Sequence, residues 1–135
     1  MTIREGAERW ARTWERGWAA RDIDAVIGLY ADDVVYSSEP FREPYRGLTG
    51  VREYVSQAFA EEDDIHATFA EPIVGESGAA VAWWATLREN GEEITLAGTS
   101  LLRFDDDGLV VEQWDTWNQS SRSVDATGWP FEGRK

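Results

Sequence analysis

The sequence predicts an α+β fold: a cone-shaped roll in which three N-terminal helices pack on a strongly curved, mostly antiparallel sheet. Two patterns carry this expectation. In the N-terminal part, apolar residues recur at helical spacing in three segments. From Ile65 onward they alternate with polar residues, and Asn90-Gly91 and Asp107-Gly108 stand between the alternating runs as hairpin turns do. Helices first and a meander of strands last is an α+β order. At 135 residues, with 42% hydrophobic side chains, the chain is long enough to bury one core and short for a second domain.

The first helix is expected from about Arg4 to Ala20, where Ala7, Trp10, Ala11, Trp14 and Trp18 form one stripe. Asp22 then serves as N-cap of a short second helix, with Ile23, Val26, Ile27, Leu29 and Tyr30 on its apolar side. Val34, Val35 and Tyr36 read as a strand, which Pro40 and Pro44 end, so residues 37–47 read as a structured loop. Gly47 and Gly50 bracket the entry to a third helix with Val51, Tyr54, Val55, Ala58 and Phe59 on one face. The acidic run Glu61 to Asp64 closes it. Strands follow around Ile65–Phe69, Ala79–Leu87, Ile94–Phe104 and Leu109–Asn118. The expected domain spans residues 1–118, and residues 119–135 form a polar tail on or beside it.

Composition narrows the functions. A net charge of −13, with arginines scattered among 26 acidic residues, disfavours nucleic acid and anionic membrane surfaces as partners. No cysteine is present, so disulfides, thiolate nucleophiles and Cys-based zinc sites are excluded. His66 has no second histidine at ligand spacing, and neither a metal nor another cofactor is expected. The opening MTIREGAERW has no apolar run, which points to a cytoplasmic protein. Eight tryptophans are the anomaly, and such rings line small-molecule pockets as well as cores.

Strand parity assigns the faces. Val81, Trp83, Ala85 and Leu87 share one face, as do Leu96, Gly98, Ser100 and Leu102, and Val111, Gln113, Asp115 and Trp117. Asp115 is therefore expected mid-strand among apolar and aromatic residues. Under the helices, desolvation would raise its pKa and suit it to general acid-base work; at a rim or interface it would instead pair with an arginine. Glu39, fixed by Pro40 beside Phe41, is a second candidate proton carrier or else an exposed loop acid. Gly98 would leave room for a ligand on the same face. Trp84, Leu101 and Trp114 alternate onto the opposite face, which suggests a homodimer through the sheet.

The stretches AARDIDAVIGLYADDVVY, PFREPYRGLTGVREYV and LLRFDDDGLVVEQWDTWN resemble the nuclear transport factor 2-like superfamily, in its SnoaL-like and ketosteroid-isomerase-like branch. The resemblance implies the helix-covered cone, often dimeric through its sheet, with an internal pocket that serves enzymes and non-catalytic binders alike. It puts Glu39 where the isomerases carry their proton-shuttling carboxylate. Trp14 falls where they have a tyrosine, and Ser100 where they have a neutral aspartic acid. Asp115 matches the final-strand Asp of the polyketide cyclases, whose histidine partner this sequence lacks, and Trp117 keeps the aromatic that follows. The combined expectation is a cofactor-free isomerase, cyclase or hydratase/hydrolase, or a non-catalytic ligand-binding or protein-interaction domain of the same fold. Asp115 and Glu39 would move protons. Trp14, Trp18, Tyr36, Phe41, Tyr54, Trp83, Leu96, Ser100 and Trp117 would hold a small apolar or aromatic molecule.

Overall fold

The computed structural model describes residues 1–133. Helix α1 (Ile3–Ala20) starts at a capping box: Thr2 accepts from the Glu5 amide while the Glu5 carboxylate accepts from the Thr2 amide. It ends on Arg21, whose backbone turns left-handed at φ 53°. Ala7, Trp10, Ala11, Trp14 and Trp18 form its buried stripe. Helix α2 (Ile23–Ile27) is capped by Asp22 as the sequence suggests. It lies close to α1 because Gly17 has no side chain; a Cβ there would stand 2.9 Å from Val26.

Strand β1 (Tyr30–Ser37) begins earlier than expected. Gly28 ends α2, and Tyr30 is the first residue of the strand, opposite Val110. The loop after it contains a two-residue strand, β2 (Tyr45–Arg46), that pairs antiparallel with β1. Helix α3 (Gly47–Glu61) follows directly. The acidic run does not simply close this helix: Glu62 already belongs to strand β3 (Glu62–Phe69). A register shift between Asp63 and His66, with Asp64 left-handed at φ 51°, turns the chain there.

The remaining strands are β4 (Ile73–Val74), β5 (Ala79–Glu89), β6 (Glu92–Phe104) and β7 (Val110–Ser120). Asn90 and Gly91, both at positive φ, make the tight β5–β6 turn, and Gly108 serves the β6–β7 turn. The sheet order is β2-β1-β7-β6-β5-β3, with β4 on β5, and β1–β7 is its parallel pair. One face packs under the helices and encloses the aromatic core. Parity holds through β5 and β6 and fails at one point in β7. A bulge opposite Arg103–Phe104 makes Val110, not Val111, the fully buried residue; from Gln113 onward the expected alternation resumes.

The other face is not polar throughout, and the chain's own C-terminal segment covers part of it. Strand β7 continues past Asn118 to Ser120, and the tail then crosses the sheet. Thr95 donates to the Arg122 carbonyl (2.6 Å) and accepts from the Val124 amide (2.9 Å). Trp84 donates to the Val124 carbonyl (2.7 Å), and Phe131 meets its ring edge-on. Trp84 is thus covered by its own chain, while Leu101 and Trp114 remain exposed. Among the described residues, no helix is long and apolar enough to cross a membrane.

Candidate active site

Between α1, α3 and the concave sheet lies a cavity of about 230 Å³. Its walls are aromatic: Trp10, Trp14 and Trp18 from α1, Tyr54 and Phe59 from α3, and Phe69, Trp83 and Trp117 from the strands. The rings meet mainly edge to face, as between Trp14 and Phe59 (6.3 Å) and between Trp18 and Trp83 (5.9 Å), which fixes their orientations. The polar side chains Arg42, Gln57, Glu61 and Gln119 edge it where it meets solvent.

Asp115 lies in this cavity, 5% exposed, and no arginine among the described residues pairs with it. Ser100 on β6 stands directly across from it, as expected from parity, and donates to Asp115 Oδ1 at 2.6 Å. Ser100 in turn accepts from Trp83 Nε1 at 3.0 Å. From the other side Gln113 Nε2 donates to Oδ1 (3.0 Å) and Oδ2 (3.3 Å). The Gln113 carbonyl is fixed by Tyr30 Oη (2.5 Å) and Trp10 Nε1 (3.0 Å), and Tyr30 accepts from Trp14 Nε1 (3.0 Å). Each neutral donor points along a chain that ends at the carboxylate. Burial pushes the Asp115 pKa up to about 6, against the hydrogen bonds of Ser100, Gln113 and Tyr36, which hold it down. It is an ordered base that ionises just below neutral pH.

A second carboxyl group lines the same cavity. Glu62, 6% exposed, accepts from Trp18 Nε1 at 2.8 Å. Burial raises its pKa to about 7; the indole bond opposes the rise, and Glu89 and Glu61 add to it. Tyr30, Tyr36 and Tyr54 are all pushed well above the usual phenol range by burial, then by charges that include Asp115, so they remain protonated donors.

Of the residues expected at the site, Trp14, Trp18, Tyr36, Tyr54, Trp83, Leu96, Ser100, Trp117 and Asp115 line this cavity. Phe41 does not: its ring is fully exposed, because the chain leaves the sheet at Ser37 and turns outward. Glu39 also stands outside the lining, half-buried in that turn, where its carbonyl accepts from the Arg42 amide. Its charge still reaches Tyr54. Gly98 leaves no room for a ligand. A Cβ there would fall 2.4 Å from the Thr116 carbonyl and under 3 Å from both Trp117 Cβ and the Trp83 ring, so the glycine lets strand β7 and the Trp83 ring come close to β6. His66 is exposed and pairs with Asp64. No cluster of three or more His, Cys, Asp or Glu able to hold a metal occurs among the described residues. Sequence reasoning missed Gln113 and Glu62 as site residues. The first had a signal, a second polar side chain two residues before Asp115 on the same face; the second was hidden in an acidic run.

The sequence and the fold match known proteins. The chain matches the SnoaL-like domain family over residues 8–113 and belongs to it, within the nuclear transport factor 2-like superfamily. Among relatives, cyclase aurE of Calcarisporium arbuscula is 30% identical over 111 residues, which cover 78% of this chain and 82% of the cyclase. Among solved structures, Rv0760c of Mycobacterium tuberculosis superposes with a TM-score of 0.75 at 18% identity, over 89% of this chain and 98% of that one. SalBIII, an epoxide hydrolase/cyclase-like enzyme of pyran ring formation in the polyether salinomycin, gives 0.73 at 15% identity, over 84% and 91%.

Proposed function

We propose that the chain is a cofactor-free, cyclase-like enzyme that holds a small, largely apolar oxygenated molecule in the aromatic cavity and closes a ring in it by proton transfer. The observation that carries this reading is Asp115: a buried carboxylate, fixed by neutral donors alone, facing a space walled by rings. In the step, Asp115 takes a proton from a hydroxyl or an acidic carbon of the substrate. The freed electron pair forms the ring bond to an electrophilic carbon, and the oxygen displaced at that carbon takes the proton back. Composition is unchanged and the carboxylate is restored. Tyr36 and Tyr54, kept protonated by burial, can hydrogen-bond the oxygen on which charge develops. The cyclase relative supports ring closure over other proton transfers.

A second reading, ligand binding without catalysis, is favoured by Ser100. It occupies the neighbouring strand beside Asp115 and supplies a hydrogen bond where a second base would stand. The variant Asp115→Asn separates the two. Assayed on linear polyketide-type and epoxy-alcohol substrates, it should lose turnover by about 10²- to 10⁴-fold while still giving a ligand-induced rise in melting temperature. Unchanged turnover would remove Asp115 from the chemistry. Wild-type protein that binds these molecules but converts none would establish the binding reading instead.

A further inference from the structure

We propose that Glu62 is a specificity-determining residue of this cavity: its protonated carboxyl group donates a hydrogen bond to a carbonyl oxygen at the far end of the bound molecule from Asp115. It thereby selects an uncharged carbonyl over a carboxylate at that end. This rests on the reading of the cavity as a small-molecule site.

The placement is what argues for it. Asp115 sits on β7, opposite Ser100, whereas Glu62 sits at the first residue of the edge strand β3, opposite Glu89 at the end of β5. The side chains between them form a wall of the cavity: Glu62 bonds Trp18, Trp18 stacks edge-on against Trp83, and Trp83 bonds the Ser100 that holds Asp115. A molecule filling that space therefore meets one carboxyl group at each end. Glu62 has a single side-chain hydrogen bond, to Trp18, against the several that fix Asp115. The charged groups facing it are Glu61 from α3 and Glu89 from β5, with Arg21 beyond the end of α1 spending its guanidinium on the Glu62 backbone carbonyl. Tyr54 on α3 feels both Asp115 and Glu62. Two further acids around a buried one favour its neutral form, whose O–H can donate to a guest while the other oxygen still accepts from Trp18. They also repel an anion. Among the described residues the one cation lining the cavity, Arg42, lies over the Tyr45 ring.

Two probes of nearly equal shape test this: 6-methoxy-2-naphthaldehyde, which is neutral, and 6-methoxy-2-naphthoate, which is anionic. Binding is read by quenching of tryptophan emission in the full chain at about pH 6 and about pH 8, on either side of the Glu62 midpoint. In wild type the aldehyde should bind at least about tenfold more tightly than the naphthoate, and several-fold more tightly at the lower pH. Glu62→Gln, whose side-chain carbonyl can still accept from Trp18, should weaken that pH dependence, leaving the part due to Asp115, and narrow the aldehyde–naphthoate gap. Glu62→Asp, which keeps the acid but withdraws it, should keep the pH dependence with weaker binding. A Glu62→Gln protein with the wild-type ratio and pH profile overturns the role of Glu62 alone. Wild-type protein that binds neither probe overturns the small-molecule cavity and this inference with it.

Discussion

The Asp115 carboxylate is kept in the folded chain at a cost. Its pKa rises from an ordinary 3.8 to about 6, so the native state binds this proton more tightly than the unfolded chain does. The stabilising effect is complete below the ordinary value and is lost as pH rises through about 6; above that the ionised group disfavours folding by about 3 kcal/mol. Asp115→Asn should therefore be more stable than wild type near pH 8, and the advantage should vanish below about pH 4; urea melts across that range check it. For the proton-abstracting form the expectation runs the other way, with activity rising as pH passes about 6. Gln113→Leu would remove a donor to the carboxylate and shift that rise upward by about one unit, visible in a pH–rate profile. It would also strand Tyr30 and Trp10 and cost about 2 kcal/mol. Asp115 was legible because a lone carboxylate at an inward parity is conspicuous. Glu62 was not: in Glu61-Glu62-Asp63-Asp64 all four look solvated, and only the join of helix to strand turns the second one inward.

Elements with an internal period were readable, and those defined only by their partners were not. The stripe of α1 and the Asn90-Gly91 hairpin follow from spacing and from turn chemistry. The two-residue strands β2 and β4 have no pattern of their own and exist because β1 and β5 offer them an edge. Tyr30 fits a helical stripe as well as a strand start, and Gly28 decides the matter. Gly98 was read with the right face and the wrong reason. Its missing side chain makes room for the β7 backbone at Thr116 and for the Trp83 ring, not for a ligand. Gly98→Ala should cost about 2–3 kcal/mol through overpacking, measured as a lower urea midpoint with unchanged slope. A stable variant with a normal midpoint would mean that the β7 backbone at Thr116 and the Trp83 ring yield easily.

At the level of the whole molecule, the C-terminal tail changes what the outer sheet face can do. Trp84, the natural centre of an apolar dimer patch, is taken by Val124 and Phe131. Leu101 and Trp114, 46% and 44% exposed, are left on that face. We propose that a homodimer forms there. With −13 charges on each chain, the dimer should tighten as salt rises through about 0.15 M, where repulsion is screened within about 8 Å. A monomer by sedimentation at micromolar concentration in moderate salt would exclude it. Truncation after Ser120 should lower the melting temperature and promote self-association by uncovering Trp84 and Thr95. At this scale too, the three indoles of α1 have a further consequence. Each N–H finds its own acceptor (Gln113, Tyr30 or Glu62), so the helix is pinned in depth and in rotation like a key with three cut teeth. A guest that needs more space cannot obtain it by sliding that helix.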